Sequence, residues 1–145
     1  MWPDHCVQGS PGAALCAALA RAPGDALVQK GTARGVDSYS AFGDEFQGQF
    51  EDTRLAALLR GRGVTHVAVA GLALDYCVAY TCLDAARLGF AAYLVLDGCR
   101  PVDATRATDA YRGVLAELQA RGVVLVQGAA DLPAAHFPRR AEAPG

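Results

Sequence analysis

The sequence predicts an α/β fold built on a parallel sheet. Short apolar segments bounded by glycine alternate with segments of helical periodicity, at a spacing of about 30 residues that is typical of strand–helix–strand units. The chain has 145 residues, enough for one domain, and its 52% hydrophobic content excludes an intrinsically disordered protein. A net charge of −2 argues against nucleic-acid binding. No apolar run approaches the ~20 residues that a membrane span needs.

The first third of the chain has weak patterns. Residues 1–12 are rich in proline and glycine and predict a loop, and residues 13–21 predict a short Ala-rich helix. Residues 25–30 predict a short strand that ends at Lys30. Residues 32–48 form a long polar and aromatic loop, and a connection of this length is usually functional.

The rest of the chain has stronger patterns. Leu55, Leu58 and Leu59 recur at helical spacing, and glycines stand where helix C-terminal caps belong. The predicted helices cover residues 54–62, 76–88 and 104–121, and the predicted strands cover 66–72, 91–97 and 123–126. We predict one domain over residues 1–133, followed by a flexible tail over 134–145.

Two residues follow predicted strands at the edge of the sheet where parallel α/β proteins place their chemistry. Cys77 comes shortly after the strand 66–72, near the start of a helix, where unpaired N–H groups favour a thiolate. It is therefore a candidate nucleophile, and the alternative is a small buried hydrophobic residue. Lys30 is the only lysine among thirteen basic residues. It is a candidate cation beside Cys77, and the alternative is a solvated lysine at a strand end.

The other candidates are weaker. The chain has five cysteines, an odd number, and no Cys-x-x-Cys pair, so we expect a reducing, cytoplasmic location. His5 lies in Asp4-His5-Cys6 and is either a metal ligand or a surface histidine. The backbone N–H groups of residues 71–75 are candidates for an oxyanion hole.

Four segments of the chain, taken in order, resemble the nicotinamidase (pyrazinamidase) branch of the isochorismatase-like cysteine hydrolases. The segments cover residues 2–14, 30–42, 69–78 and 85–97. The first, which begins Trp2-Pro3-Asp4-His5-Cys6, and the third, which contains Cys77, are the most specific. The resemblance implies a doubly wound α/β fold with a Cys–Lys–Asp triad.

By this resemblance, Cys77 attacks the carboxamide carbon of nicotinamide, ammonia leaves, and water releases nicotinate from a thioester. Lys30 matches the lysine of the triad. The N–H groups of Ala73 and Cys77 match the oxyanion hole, and the bond from Leu72 to Ala73 matches a cis peptide of the family.

The resemblance also implies a substrate pocket and a metal. Trp2 and Tyr39 match aromatic residues that hold the pyridine ring. His5 matches a ligand of a divalent metal, which is zinc, iron or manganese in this family.

The sequence departs from the family pattern at its beginning. The family has two further strands, the aspartate of the triad and more metal ligands before the segment that matches residues 2–14. We therefore expect a chain that is incomplete at its N-terminus, lacks the first two family strands, binds metal poorly and has impaired activity. The alternatives are a non-catalytic remnant or interaction module that forms a homo-oligomer through an exposed sheet edge, or another small-amide hydrolase of the superfamily.

Overall fold

The computed structural model describes residues 3–34, 36–46 and 49–138. Its main elements are β1 (Gly43–Phe46), β2 (Gln49–Asp52), α1 (Leu55–Gly61), β3 (His66–Leu72), a π-helical turn (Leu74–Val78), α2 (Ala79–Arg87), β4 (Ala91–Arg100), α3 (Asp109–Ala120) and β5 (Val124–Val126). Short 3₁₀ turns cover Pro11–Ala13 and Ala129–Asp131. None of the described helices has the length and apolar character that crossing a bilayer requires.

The strands β3, β4 and β5 form a parallel sheet in that order, with β4 in the middle. Val67 lies opposite Ala92, and Val69 lies opposite Leu94, which in turn lies opposite Leu125. These apolar side chains share one face of the sheet, because residues paired in register point the same way. In the core, α2 packs against β4, and α3 packs against α2 and β5. The predicted α/β class with a parallel sheet is confirmed.

The core holds the π-helical turn in place. Leu94 of β4 and Leu118 of α3 are fully buried, and so is Leu74 at the start of the turn. Val78, at the end of the turn, is 4% exposed. Burying a leucine side chain contributes roughly 1.5–3 kcal/mol. The two buried ends anchor the turn, and Cys77 between them stays partly exposed.

The helix predicted over residues 104–121 begins later, at Asp109. The carboxylate of Asp103 accepts hydrogen bonds from the hydroxyls of Thr105 and Thr108, at 2.6 and 2.7 Å, and closes a turn before the helix. These bonds lower the pKa of Asp103 to about 2. The hydroxyl of Thr108 then accepts the N–H of Tyr111 and caps α3, as threonine does at helix starts.

Two predictions in the first third of the chain are wrong. Among the described residues, 14–42 contain neither a helix nor a strand, so the helix over 13–21 and the strand over 25–30 are absent. The residues of the predicted helix are all exposed. A nine-residue helix is unstable without an apolar surface to pack on, whatever its alanine content. The predicted loop over 32–48 ends earlier than expected, because β1 begins at Gly43.

The chain returns to the sheet after the last 3₁₀ turn. The ring of His136 stacks on that of His66 with 3.6 Å between ring centroids, and Phe137 meets Tyr93 edge-on at 5.4 Å. Residues 139–145 of the predicted tail lie outside the described residues. The domain boundary at residue 133 stays a prediction.

Candidate active site

Cys77 lies in the π-helical turn that connects the carboxyl end of β3 to α2. The carbonyl oxygen of Ala73 accepts the N–H groups of Tyr76 and Val78, each at 3.1 Å. The peptide bond from Leu72 to Ala73 is cis, as the resemblance implied. Single π-helical turns are frequent at functional sites. The fold therefore presents Cys77, partly exposed, at the sheet edge where parallel α/β proteins place their chemistry.

Lys30 contacts Cys77 although the two residues are 47 positions apart. Its Nζ donates to the carbonyl oxygen of Ser38 at 2.7 Å and lies 3.6 Å from Sγ of Cys77. Lys30 stands in an irregular, exposed segment and not at the end of a strand. Since a lysine ammonium has three donors, it can donate to the Ser38 carbonyl oxygen and contact the Cys77 sulfur at the same time.

The loop that contains Ser38 is held by a carboxylate. Asp44, at the start of β1, accepts the N–H groups of Tyr39 and Ser40, the second at 2.8 Å. On the other side of Lys30, the Gln8 side chain donates to the carbonyl oxygen of Gly31 at 3.1 Å. These bonds fix the backbone around both partners of the Lys30–Ser38 hydrogen bond.

Tyr39 packs beside the turn that carries Cys77. Its ring stacks on Tyr80 with 5.4 Å between centroids and is tilted against Tyr76 at 6.0 Å. Tyr76 directly precedes Cys77 in the chain. Tyr39 therefore packs on the segment that carries Cys77, while its contact with a substrate ring stays a prediction. Trp2, the other predicted pocket aromatic, lies outside the described residues.

Three site residues were not predicted from the sequence. They are Ser38, whose carbonyl oxygen accepts Lys30 Nζ, Asp44, whose carboxylate accepts loop N–H groups, and Thr81. The hydroxyl of Thr81 bonds to backbone groups of both Cys77 and Ala41. Each takes part in a hydrogen bond between a side chain and a backbone group, and such bonds leave no periodic pattern in a sequence. No signal in a single sequence would have found them.

No third member of a triad is present in the part of the chain that the structure describes. Within it, no aspartate or glutamate carboxylate lies within ion-pair distance of Lys30. Asp75 instead accepts the N–H of Val102 at 2.9 Å and ties the π-helical turn to the loop after β4. Asp97 lies against Gly128. Neither carboxylate bonds to Cys77 or Lys30.

The predicted metal ligand His5 is exposed, and its Nδ1 lies 2.7 Å from the carbonyl oxygen of Pro3. Over residues 3–34, 36–46 and 49–138 there is no group of three or more His, Cys, Asp or Glu side chains that can hold a metal ion. One imidazole does not make a zinc site, which takes four ligands or three and a water. The described residues do not fit a resident metal.

An open cleft of about 700 Å³ lies next to Lys30, between the N-terminal segment and residues 27–32. Its size suits a small molecule. Cys77 does not line it, although Lys30, Gln8 and Cys6 do. We therefore centre the candidate site on the Lys30–Cys77 contact and not on the cleft.

Two further cysteines, Cys82 and Cys99, are buried. Burial raises the pKa of Cys82 to about 12, with a smaller contribution from neighbouring Cys99. Burial also raises the pKa of Cys99. Both thiols therefore stay protonated near neutral pH and are poor nucleophiles.

Comparison with known protein families identifies the family of this chain. A model of the isochorismatase domain matches residues 1–130. The chain belongs to the isochorismatase domain family. Among its most similar relatives, the nicotinamidase of Escherichia coli (strain K12) is 42% identical over 124 residues, which is 86% of this chain and 56% of the relative.

Solved structures of other proteins match the same fold. PnC1 of L. infantum, in complex with nicotinate, matches with a TM-score of 0.78 and 41% identity, over 87% of this chain and 60% of that chain. The pyrazinamidase of Pyrococcus horikoshii, in complex with zinc, matches with a TM-score of 0.69 and 36% identity, over 88% and 63%. The chain thus spans less than two thirds of the length of each relative.

Proposed function

We propose that this isochorismatase-family chain acts in the hydrolysis of nicotinamide to nicotinate and ammonia, with Cys77 as the nucleophile. The observation that carries the proposal is the 3.6 Å contact between Nζ of Lys30 and Sγ of Cys77. The nicotinamidase relative and the nicotinate complex support the choice of substrate.

The proposed reaction has two steps that balance. The Cys77 thiolate attacks the carboxamide carbon, a C–S bond forms, and the C–N bond breaks as the nitrogen takes a proton and leaves as ammonia. Lys30, whose ammonium contacts the sulfur, supplies that proton. Water then attacks the thioester, the C–S bond breaks, and nicotinate and the thiolate form. Of the two protons that water gives up, one restores the lysine ammonium and the other passes to solvent.

The backbone and the aromatic residues have positioning roles in this proposal. The N–H groups of Ala73 and Cys77 stabilise the oxyanion of the tetrahedral intermediate, where donors of this kind have their largest effect. Tyr39, already packed beside the turn, contacts the pyridine ring, and Trp2 keeps its predicted role as a second aromatic contact of that ring. Removing the Tyr39 ring should therefore weaken substrate binding more than turnover.

A metal has no step in the proposed reaction of this chain. The Pyrococcus horikoshii pyrazinamidase holds zinc, but the described residues here provide only His5 of the predicted site. We propose weak divalent-metal binding through His5 alone. A cytoplasmic location also stays our prediction, and it agrees with five free cysteines.

The test measures ammonia release from nicotinamide by the purified chain, by Cys77→Ala and by Cys16→Ala. Cys16 is an exposed cysteine and serves as the matched control. We expect slow turnover by the parent and by Cys16→Ala, and none by Cys77→Ala. Equal turnover by Cys77→Ala would remove Cys77 as the nucleophile.

A second assay does not depend on turnover. Nicotinaldehyde, the aldehyde analogue of the substrate, adds reversibly to a thiolate, so it should slow the alkylation of Cys77 by iodoacetamide. Benzaldehyde, which lacks the ring nitrogen, should protect less. A chain that neither releases ammonia nor shows protection of Cys77 would contradict the proposed function.

The unpaired edge of β3 favours a second candidate, an interaction module that forms a homo-oligomer. In the described part of the chain, β3 ends the sheet and has no Asp, Glu, Lys, Arg or Pro, and Leu72 is 73% exposed. Such an edge pairs readily with another strand. Light scattering should then show a dimer that Ala68→Lys dissociates and that Ala116→Lys, on the exposed side of α3, leaves intact. A monomeric parent at high concentration would exclude it.

A further hydrolase activity is the third candidate, because the isochorismatase domain by itself does not identify the amide. Assaying pyrazinamide and benzamide beside nicotinamide would separate these substrates. Benzamide lacks the ring nitrogen of nicotinamide, so a clear preference for it would argue against a pocket that recognises this nitrogen.

A further inference from the structure

The hydroxyl of Thr81 connects the turn that carries Cys77 to the loop that carries Tyr39. Thr81 lies on the first turn of α2 and is 9% exposed. Its Oγ1 donates to the carbonyl oxygen of Cys77 at 2.6 Å and accepts the N–H of Ala41 at 2.9 Å. The one hydroxyl thus acts as donor and acceptor at the same time.

These two hydrogen bonds differ in kind. The bond to Cys77 is local, from one residue to the fourth before it, and threonines in helices often make it. The bond from Ala41 joins residues 40 positions apart. Helix geometry alone does not require this second bond, which depends on the contact between α2 and the loop.

The loop that Thr81 holds also holds Lys30. Ser38 stands three residues before Ala41, and its carbonyl oxygen accepts Nζ of Lys30 at 2.7 Å. The contacts therefore form a closed circuit from the Cys77 backbone through Thr81, the loop and Lys30 to Sγ of Cys77.

We propose that Thr81 is a positioning residue that keeps Lys30 Nζ in contact with Cys77 Sγ. It touches no substrate and acts only through the geometry of these two groups. The proposal rests on the proposed role of Cys77 as a nucleophile. It is tested by thiol reactivity, which does not require that the chain hydrolyse nicotinamide.

Thr53 provides a matched control. Its hydroxyl donates to the carbonyl oxygen of Ala41 at 2.6 Å, so it binds the same loop residue as Thr81 does. It makes no hydrogen bond to Cys77. Removing it should therefore leave intact the link from Ala41 through Thr81 to the turn that carries the thiol.

The experiment measures the rate at which iodoacetamide alkylates Cys77 near neutral pH and low salt, read by mass spectrometry of the peptide that contains it. Thr81→Val should lower the rate about threefold, within the range for the loss of one hydrogen bond. Thr81→Ser keeps the hydroxyl and should stay within about twofold of the parent. Thr53→Val should react at the parent rate.

A double variant separates positioning from a general loss of stability. Because Thr81 acts through Lys30, Thr81→Val should have no further effect in a Lys30→Met background. A purely structural defect would lower the rate in both backgrounds. Unreactive Cys82 and Cys99 in the same samples show that each variant is folded.

Two results would overturn the proposal. The first is an alkylation rate of Cys77 in Thr81→Val that equals the rate in the parent. The second is a Thr81→Val substitution that lowers the rate by the same factor in the parent and in the Lys30→Met background. If Thr81→Val does not fold, Thr81→Ala replaces it, since the smaller side chain leaves room for a water at the Ala41 N–H, and the same outcomes decide.

Discussion

The contact between Lys30 and Cys77 predicts how strongly the thiol depends on one cation. Lys30→Met keeps the apolar stem of the side chain and removes the ammonium, with its charge and its hydrogen bond to Ser38. Nζ lies 3.6 Å from Sγ, so the substitution removes the positive charge nearest to the sulfur in the described structure. Alkylation proceeds through the thiolate, and the rate should therefore fall.

The size of the effect follows from the distance. Two unit charges 3.6 Å apart attract by about 1 kcal/mol in a medium with the dielectric constant of water. That medium is the appropriate one because Lys30 is exposed. A free energy of about 1 kcal/mol corresponds to about fivefold in rate. At physiological salt, where the Debye length is about 8 Å, screening reduces the effect to about threefold.

The assay is the iodoacetamide alkylation of Cys77, followed by mass spectrometry at low and physiological salt. Arg34→Met, which removes an exposed cation four residues further along the same segment, is the control and should react like the parent. An equal rate for Lys30→Met and the parent at low salt would refute the reasoning, because the ammonium would then not act on the sulfur.

Three further predictions concern stability and metal binding. The pKa of Cys82 is raised from 9.0 to about 12, so its contribution to stability is complete below pH 9 and is lost as the pH rises towards 12. Urea unfolding at pH 8 and at pH 10 should show a loss of about 1.4 kcal/mol in the parent beyond that in Cys82→Ala, and equal losses would contradict the burial of this thiol. Leu118→Ala should destabilise the chain by about 2–5 kcal/mol, whereas Leu19→Ala, at a side chain 58% exposed, should change the free energy of unfolding by less than about 0.5 kcal/mol. Calorimetric titration with zinc should show only weak binding, and His5→Ala should remove its heats; tight binding that depends on His5 would mean that other ligands join it.

The chain from residue 54 onward was predictable because its signals are local. Leu55, Leu58 and Leu59 recur at the helical period, and α1 covers them. The apolar segment 66–72 became β3 with the predicted bounds, and Ala91 begins β4 as expected. Each of these segments has a face that the sheet or the core buries, so local pattern and tertiary packing agree.

Residues 13–30 were not predictable in the same way. Their alanine content favours a helix, but a short helix gains stability only when it buries one face against another element. Leu15, Leu19 and Leu27 are all about half exposed or more, so the described structure offers them no such surface. Propensity without a packing partner leaves the segment irregular.

For the site, the sequence by itself predicted which residues are candidates for chemistry, and it placed Cys77 at the carboxyl edge of the sheet. Cys77 follows an apolar strand, Lys30 is the only lysine, and the surrounding motifs resemble one family of hydrolases. Only the tertiary structure decided that Nζ and Sγ meet. That contact depends on the backbone of a loop, held by Asp44 and Thr81 through hydrogen bonds to N–H and C=O groups. Every residue but proline carries the same amide donor and carbonyl acceptor, so only the folded chain selects which of them pair.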